Sequence, residues 1–178
     1  MKILIWCFVA AAGLAAFVGL SGWLIPPRYE TSAPLRVEAT PEAVWQVLST
    51  VDEYPGWRSD VAIVERLGNP VDPVWRETDA RGGVMRHDAG EGRVAEKFID
   101  RFESEGPAGN RGVPGGVAAG KGERIFLIIP DPQGKTRISI TERGEITGPL
   151  ARFRARFITG YDKGVRKLAE DLRHRLAE

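Results

Sequence analysis

An uncharged apolar run near the N-terminus constrains this chain more than any other feature of its sequence. The run extends from Ile3 to Ile25, contains no charged residue and ends at Pro26-Pro27. At a rise of 1.5 Å per residue, a helix of this length reaches about 34 Å, enough to cross a hydrocarbon layer of ~30 Å. Secretory signal peptides have shorter apolar cores, about 7–15 residues long. We therefore predict an uncleaved membrane anchor over residues 1–25, with a long cleaved signal peptide as the alternative.

The charges that flank the run bear on its orientation in a membrane. Lys2 and the amino terminus lie on one side, whereas Arg28 and Glu30 follow on the other. Because basic residues favour the cytoplasmic side, this pattern mildly favours an extracytoplasmic location for the rest of the chain. The side of the membrane stays open at this point.

The composition of the remaining chain excludes several functional classes. Without Lys2 and Arg28 there are 23 basic and 24 acidic residues, and this balance argues against a general nucleic-acid binder, which normally has a basic excess. The only cysteine, Cys7, lies within the apolar run, and the two histidines, His87 and His174, are far apart. We therefore expect neither a zinc-type metal site nor a cofactor.

The length of 178 residues predicts one domain after the anchor. Residues 26–33 have the composition of a short stiff linker, which at full extension reaches about 25 Å. A domain over residues 34–178 would thus stay close to the membrane surface.

The first part of this domain predicts a strand followed by a helix. Residues 35–39 alternate between apolar and charged side chains, which is typical of a strand. Thr40 and Pro41 then form a helix start, with a capping hydroxyl and a proline at the first helical position. From there to Ile146 the apolar period becomes two, which predicts six or seven short strands in an antiparallel sheet.

The last part of the chain predicts one long helix from Pro149 to about Leu176. Eight apolar residues recur at helical spacing and form one stripe over seven turns. They are Leu150, Phe153, Phe157, Tyr161, Val165, Leu168, Leu172 and Leu176. A single apolar stripe of this length requires a broad apolar partner, and a curved sheet is the obvious one.

Several short motifs, in order, resemble the SRPBCC (START-like, helix-grip) superfamily, and in particular its polyketide cyclase/dehydrase and lipid-transport branch. The matching stretches are TPEAVWQVL at 40–48, YPGW at 54–57, WRE at 75–77, ITE at 140–142, GEI at 144–146 and PLARF at 149–153. The resemblance covers residues 33–176. It implies an α+β helix-grip fold, in which a curved antiparallel sheet wraps around a long C-terminal helix and leaves a cavity between them. It does not imply one function, because members of the superfamily include lipid carriers as well as cyclases.

The resemblance also implies which side chains line that cavity. These are the large apolar residues on the inner face of the sheet and of the long helix, together with one residue of the turn after the first helix. The expected lining residues are Trp57, Trp75, Met85, Phe98, Phe126, Phe153, Phe157 and Tyr161.

Acid–base chemistry would require a titratable group inside the cavity. Six such groups lie in the predicted strand region: Glu77, Asp79, His87, Asp88, Glu96 and Asp100. Alternation places Glu96 and Asp100 on the same strand face as Phe98 and Phe102. Solvated strand carboxylates are far commoner than catalytic ones, and His87 precedes a turn-forming stretch, so we assign no catalytic residue.

A glycine-rich stretch at 115–121 matches seven positions of a phosphate-binding loop. The eighth position is Gly122 where a serine or threonine is required, and the residues that follow predict a strand instead of a helix. We therefore predict a loop over residues 104–122 and no nucleotide binding.

Three functions remain open. The leading one is a membrane-tethered binding protein for a lipid-like or other apolar small molecule, with the membrane and that ligand as its partners. The second is a cyclase or dehydratase that uses a cavity acid such as Glu96. The third is an interaction module with a filled core. Oligomeric state and ligand identity are not encoded in any pattern of the sequence.

Overall fold

The computed structural model describes residues 2–68, 73–80, 82–105, 120–132 and 134–178. Five α-helices are described: α1 (Lys2–Leu24), α2 (Pro41–Ser49), α3 (Tyr54–Trp57), α4 (Pro149–Arg154) and α5 (Lys163–Arg175). A 3₁₀ turn (Val51–Glu53) precedes α3, and a π-helical turn (Ala155–Thr159) follows α4. The seven described strands are β1 (Arg28–Val37), β2 (Ile63–Arg66), β3 (Val74–Thr78), β4 (Val84–Ala89), β5 (Lys97–Ser104), β6 (Lys121–Asp131) and β7 (Lys135–Glu145).

The strands form one antiparallel sheet in the order β1-β7-β6-β5-β4-β3-β2. Strands β2 to β7 follow one another as a meander, and β1 pairs with β7 over its whole length, from Arg28 opposite Glu145 to Val37 opposite Thr136. Together with the helices, this order confirms the predicted α+β helix-grip fold.

The predicted linker is the part of the sequence interpretation that the sheet corrects. Residues 28–33 are the first half of β1, because Tyr29 and Ala33 alternate with exposed neighbours and are buried on the same face as Leu35. Only Ile25, Pro26 and Pro27 separate the strand from α1. The domain is therefore joined to α1 almost directly.

Helix α2 forms as its sequence predicts. The Thr40 side chain accepts a hydrogen bond from the amide of Ala43 at 3.3 Å, and Pro41 occupies the first turn. Val44 and Leu48 are buried against the sheet, in one core with inward residues of β6 and β7 and with Val165, Leu168 and Leu172 of α5. Such an apolar face stabilises the helix more than its intrinsic propensity does.

The predicted long C-terminal helix is broken in two. The chain leaves the π-helical turn at Gly160, whose φ of 76° belongs to a region that other residues rarely adopt, and α5 begins only at Lys163. Val165, Leu168 and Leu172 are buried as the stripe predicts, but Leu150 and Phe157 are exposed. The apolar spacing of the sequence therefore continues across the break, but Leu150 and Phe157 before it do not face the core.

Helix α1 is sufficiently long and apolar to cross a membrane, and its side chains are almost entirely exposed. Its last turns contact α4, where Gly22 is buried against the backbone of Pro149. This packing fixes the end of α1 beside the start of the C-terminal segment.

Candidate ligand-binding site

Charged and polar side chains form a continuous buried chain across the inner face of the sheet. Six of them occupy inward positions on six neighbouring strands, and two more come from the loop after α3. In order of contact, the members are Asp60, Arg58, Glu77, His87, Asp100, Arg124, Glu142 and Tyr29. We call this set the buried polar chain.

One half of the chain lies across β5, β6, β7 and β1. Asp100, Arg124 and Glu142 face one another directly in the strand register. The guanidinium of Arg124 donates to Glu142 Oε2 from Nε at 3.0 Å and from Nη2 at 2.7 Å, and to Asp100 Oδ2 from Nη1 at 3.3 Å. Tyr29 Oη donates to Glu142 Oε1 at 2.8 Å. Every carboxylate in this half thus has a buried donor, which such groups require.

Two glycines make room for the aromatic rings in this half. A Cβ at Gly144 would lie 2.6 Å from Cε1 of Tyr29, and a Cβ at Gly122 would lie 2.6 Å from Cζ of Phe102. The Phe102 ring in turn lies under Arg124, with the guanidinium carbon 5.4 Å from the ring centroid. The aromatic side chains can therefore cross the neighbouring strands and enclose the cation.

The other half of the chain is built around Arg58. Its Nη1 donates to Glu77 Oε1 at 2.9 Å, while Nη2 and Nε donate to the two carboxylate oxygens of Asp60 at 2.9 and 3.2 Å. Trp75 Nε1 donates to the same Glu77 oxygen at 2.9 Å. Arg58 is 3 % exposed and Glu77 is fully buried.

His87 on β4 joins the two halves. Its Nδ1 lies 2.7 Å from Asp100 Oδ1, and its Nε2 lies 3.3 Å from Glu77 Oε2. The imidazole stacks on Trp75 with centroids 5.2 Å apart. Within the described part of the chain, neither His87 Nε2 nor Glu77 Oε2 has a hydrogen-bond partner of good geometry. These two adjacent buried atoms are therefore the place where the chain has spare capacity to bind a polar group.

Burial and mutual attraction act in opposite directions on the titratable groups of the chain. For Asp60, burial would raise the pKa, but the charge and hydrogen bonds of Arg58 outweigh it and lower the pKa to about 2. For Asp100, burial is likewise outweighed, by His87, Arg124 and Arg58, and the pKa is lowered. Burial and the neighbouring Glu142 both raise the pKa of Tyr29 above its usual range. Asp60 and Asp100 are therefore held ionised, and the Tyr29 phenol is held neutral.

The formal charges of the buried polar chain do not cancel. Two cations, Arg58 and Arg124, face the four acids Asp60, Glu77, Asp100 and Glu142. The sum is −2 with a neutral His87 and −1 with a protonated one. A negative interior favours a neutral or cationic group at the free atoms of His87 and Glu77 over an anionic one.

The segment from Pro149 to Thr159 closes one end of this interior, and we call it the capping segment. Ala155 is buried with Phe102 and Ile146, and just beyond the segment the ring of Tyr161 stacks on Tyr29 with centroids 5.3 Å apart. Glycines with positive φ flank the capping segment on both sides: Gly148 at 91° and Gly160 at 76°. It thus lies over the Tyr29 end of the buried polar chain.

A concavity of about 860 Å³ lies along β1, β4, β5, β6 and β7, and the inward residues Tyr29, His87 and Phe102 border it together with charged residues; we call it the outer groove. Its charged lining residues occupy the outward positions that alternate with the buried ones. They are Arg28, Glu30, Arg86, Asp88, Arg101, Glu103, Lys121, Glu123, Arg143 and Glu145. Five basic and five acidic side chains balance the formal charge of this open groove.

The structure distributes the eight predicted lining residues over different environments. Trp75, Met85, Phe98 and Phe126 are buried in the interior, Trp57, Phe153 and Tyr161 are partly buried, and Phe157 is 64 % exposed. Phe98 and Phe126 contact each other within the main core, and Phe153 contacts Phe157 on the capping segment. Of the eight, Trp75 and Tyr161 contact members of the buried polar chain through their rings. None of them lines the outer groove.

The structure corrects the interpretation of Glu96. It lies in a turn before β5, where Arg93 pairs with Lys97 and Ala95 adopts a φ of 57°, so the strand alternation does not extend to it. Its side chain is exposed and pairs with Arg93. Asp100, in contrast, does lie inward with Phe98 and Phe102.

Other titratable residues of the predicted strand region are buried against expectation. His87 is an inward residue of β4 and does not belong to a turn, and Glu77 is buried beside it, whereas Asp88 is exposed. Asp79 is buried and accepts a hydrogen bond from the amide of Gly83 in the β3–β4 connection.

Sequence reasoning missed five members of the buried polar chain as candidate site residues: Arg58, Asp60, Arg124, Glu142 and Tyr29. The available signal was strand parity: Glu142 follows Ile138 and Ile140 at intervals of two, and Arg124 precedes Phe126 and Ile128 in the same way.

The phosphate-loop match cannot be followed in full, because residues 106–119 lie outside the described part of the chain. Lys121 and Gly122 begin strand β6 and not a helix, and β5 extends to Ser104, so both ends of the loop predicted over residues 104–122 belong to strands.

The fold and its buried inner site define a START-like protein with a ligand-binding type of architecture. Residues 28–173 match the family model described as polyketide cyclase / dehydrase and lipid transport. Because the match covers most of the sequence, the chain belongs to this family. A search of the curated proteins finds no significant match.

Solved structures with the same fold span several kinds of protein. The Zhui aromatase/cyclase from Streptomyces sp. R1128 superposes with a TM-score of 0.67 at 12 % identity, over 84 % of this chain and 94 % of that one. A START superfamily protein from Mycobacterium smegmatis gives 0.63 at 18 % identity, over 83 % and 97 %. Norcoclaurine synthase from Thalictrum flavum gives 0.62 at 11 % identity, over 89 % and 91 %. At these identities the similarity shows the fold alone.

Proposed function

We propose that this chain is a membrane-tethered binding protein for a lipid-like or other apolar small molecule whose polar end is uncharged or cationic. In this proposal residues 1–25 are the anchor and residues 34–178 the binding domain, with the part of β1 before residue 34 joining the two. The domain lies on the extracytoplasmic side, as the charges around the anchor favour.

The observation that supports the polar specificity is the contact between His87 Nε2 and Glu77 Oε2, which lie 3.3 Å apart without a hydrogen bond to each other or to another described group. A hydroxyl beside His87 Nε2 and Glu77 Oε2 can donate a hydrogen bond to the carboxylate and accept a hydrogen bond from Nε2–H of the imidazole in the tautomer that carries a proton there. A carboxylate at the same place would enter a site whose formal charge is already negative. Two like charges 4 Å apart repel by roughly 4 kcal/mol at an effective dielectric constant of 20.

The apolar body of the ligand would be held by burial, at roughly 25 cal/mol per Å² of apolar surface. Trp75, Phe98 and Phe126 are inward residues that such a body would contact, and Met85 and Tyr161 lie nearer the capping segment. Uptake requires the capping segment to move away from Tyr29, and Gly148 and Gly160 provide the backbone freedom for this movement.

The test compares three fluorescent probes with the same long alkyl tail and a hydroxyl, an amine or a carboxylate at the end. Each is titrated against the full chain in lipid nanodiscs, with empty nanodiscs as the background. We expect the alcohol and the amine to bind at least about tenfold more tightly than the carboxylate, a difference of about 1.4 kcal/mol. Equal affinity, or preference for the carboxylate, would refute the proposed specificity, and no specific binding of any probe would refute the carrier function.

A matched pair of variants assigns the specificity to the buried polar chain. Glu77→Gln removes one buried negative charge and keeps an oxygen that can accept from Arg58 and Trp75. We expect it to reduce the discrimination against the carboxylate probe. Glu103→Gln changes an exposed acid of the outer groove and should leave the discrimination unchanged. The melting temperature of each variant shows whether it is folded.

A second function, a cyclase or dehydratase, is favoured by one specific feature. Asp100 Oδ1 lies 2.7 Å from Nδ1 of His87 and can accept a hydrogen bond from it. In that tautomer Nε2 is the unprotonated ring nitrogen and can act as a base. In a dehydration, Nε2 would take the proton from the carbon beside a carbonyl and return it to the departing hydroxyl, so that water leaves.

This alternative is tested by incubating the full chain with a β-hydroxyacyl thioester and following loss of water by mass spectrometry. Turnover that disappears in His87→Gln and persists in Arg86→Gln, an exposed neighbour on the outer face, would establish the enzyme. Absence of turnover with this substrate class leaves the binding function as the proposal.

A further inference from the structure

The capping segment presents large apolar side chains to its surroundings. Leu150, Phe157 and Ile158 are 67 %, 64 % and 70 % exposed. They occupy a stretch of eleven residues that also contains Phe153, in ring contact with Phe157. A cluster of exposed apolar residues of this kind in one short segment marks a contact surface for a partner or a membrane.

Helix α1 fixes where this surface lies relative to a bilayer. Gly22 is buried on α4, and a Cβ there would come within 1.9 Å of the carbonyl oxygen of Pro149. Val18 and Gly19, one turn earlier, are also partly covered. From Val18 to the end of α1 at Leu24 the helix rises only about 9 Å, so α4 packs on the last two turns of the candidate membrane span.

Those last two turns correspond to the depth of the boundary between acyl chains and headgroups. Helix α1 has 23 residues, about 34 Å, which is only slightly longer than a hydrocarbon layer of ~30 Å. Trp23 lies at the same level, and tryptophan is enriched at this boundary. A segment held against Gly22 thus meets the bilayer with whatever side chains it exposes.

The charge of the capping segment complements an anionic surface. Its sequence, PLARFRARFIT, contains three arginines and no acidic residue. Arg154 and Arg156 are exposed, whereas Arg152 donates from Nε to the carbonyl of Ile146 at 3.0 Å. Alternating apolar and basic exposed side chains are typical of a segment that lies in the membrane interface.

From the packing against α1, the exposed apolar residues and the exposed arginines, we propose that the capping segment lies in the interface of the leaflet where α1 ends and binds its anionic lipid headgroups. Leu150, Phe157 and Ile158 enter the acyl boundary, and Arg154 and Arg156 contact phosphates. This inference rests on the membrane tether of the proposed function. It also assigns a path for the ligand, because the segment that closes the interior would be the segment that touches the lipid.

The depth of the segment can be measured in the full chain by site-specific fluorescence. In a Cys7→Ala background, Ile158→Cys is labelled with an environment-sensitive NBD group and the protein is placed in nanodiscs with or without doxyl-labelled lipid. The matched control is Val94→Cys, which is 70 % exposed just before β5. The opposite end of β5 is the one near the capping segment: Glu103 pairs with Lys121, and Lys121 pairs with Glu145 shortly before that segment begins. Eight residues of strand span about 26 Å, so the end of β5 next to Val94 is remote from the capping segment.

We expect the label at residue 158 to show blue-shifted emission and strong quenching by doxyl lipid, and the label at residue 94 to show neither. In nanodiscs with anionic lipid, Arg154→Gln and Arg156→Gln should each reduce the ratio of quenched to unquenched label about fivefold, which corresponds to ~1 kcal/mol per arginine at the surface. Arg137→Gln, an exposed arginine near the opposite end of β7, should have no such effect.

Resistance of the chain to carbonate extraction separates the two ways in which the inference can fail. If the chain resists extraction but the label at residue 158 remains in water, the capping segment is not interfacial and the inference is wrong, while the tether stands. If carbonate releases the chain, the tether and the inference are both wrong. If quenching at residue 158 is the same with neutral and anionic lipid and in the arginine variants, the headgroup specificity is wrong.

Discussion

Replacing Arg124 by glutamine tests whether the buried polar chain is held together by charge. In the wild-type protein the guanidinium lies between Asp100 and Glu142 and donates to both. Glutamine can satisfy part of this hydrogen bonding but leaves two buried carboxylates without their shared cation. Breaking a buried ion pair from one side costs about 3–5 kcal/mol, so we expect a loss of this size in the free energy of unfolding at pH 7.

The assay is urea unfolding of the full chain in mild detergent, followed by near-ultraviolet circular dichroism. Trp75 is a suitable reporter, because its indole is buried and stacked on His87. Arg143→Gln is the control: Arg143 follows Glu142 directly, but is exposed and pairs with Glu30 and Glu123 at the surface. Exposed ion pairs contribute only about 0–1 kcal/mol, and we expect the control to lose no more than this.

The pH dependence of the same variant supplies the refutation. Arg124 helps to lower the pKa of Asp100, so its stabilisation of that carboxylate is present above the unfolded pKa and is lost as the pH falls through the folded value. Without Arg124 the carboxylate is protonated at higher pH, and the penalty should shrink as the pH is lowered towards 4. A loss that is below 1 kcal/mol, or independent of pH, would refute the electrostatic account.

Two further predictions follow from individual contacts. Asp60 has a folded pKa of about 2 and an ordinary pKa of 3.8, so its carboxylate should contribute about 2 kcal/mol to the free energy of unfolding above pH 4 and lose this contribution as the pH falls to 2. In urea unfolding, Asp60→Asn should therefore destabilise the chain at pH 7 but not at pH 2. An equal effect at both pH values would contradict the assignment. Gly144→Ala places a Cβ 2.6 Å from the Tyr29 ring and should cost about 1–3 kcal/mol, whereas Gly56→Ala, with nothing within 4 Å of its Cβ, should be nearly neutral; equal unfolding midpoints would show that the ring moves freely.

The sequence predicts the architecture well because its main signals are local. The Thr40-Pro41 cap, the face formed by Val44 and Leu48, and the period-two strands each depend on neighbouring residues only. The apolar run at the N-terminus likewise depends on composition. These features, taken in order along the chain, are sufficient for the helix-grip fold.

The break in the C-terminal helix is harder to predict. The apolar spacing continues through Tyr161 as if the helix were uninterrupted, and a single glycine inside a helical pattern is usually tolerated. Gly160 ends the helical turn here with a positive φ. Leu150 and Phe157, which precede Gly160, are exposed. The helical spacing alone therefore wrongly predicts that this half of the apolar stripe packs against the sheet.

The buried polar chain is non-local, and for that reason composition and spacing do not reveal it. Asp100, Arg124 and Glu142 look like ordinary strand charges until the register brings them opposite one another. Charged residues are usually exposed to solvent, so a prediction made from each strand alone places these three side chains at the surface. Only the sheet order shows that Arg124 lies between the two carboxylates and pairs with both.

The most direct test of the account is native mass spectrometry of the full chain released from lipid nanodiscs, followed by organic extraction of any bound molecule. The account predicts a stoichiometric adduct with an apolar body and an alcohol or amine end, which Glu77→Gln weakens and Glu103→Gln does not. A chain that retains no adduct and excludes all three alkyl probes would contradict the proposed binding function. An adduct with a free carboxylate would contradict the role assigned to the negative interior.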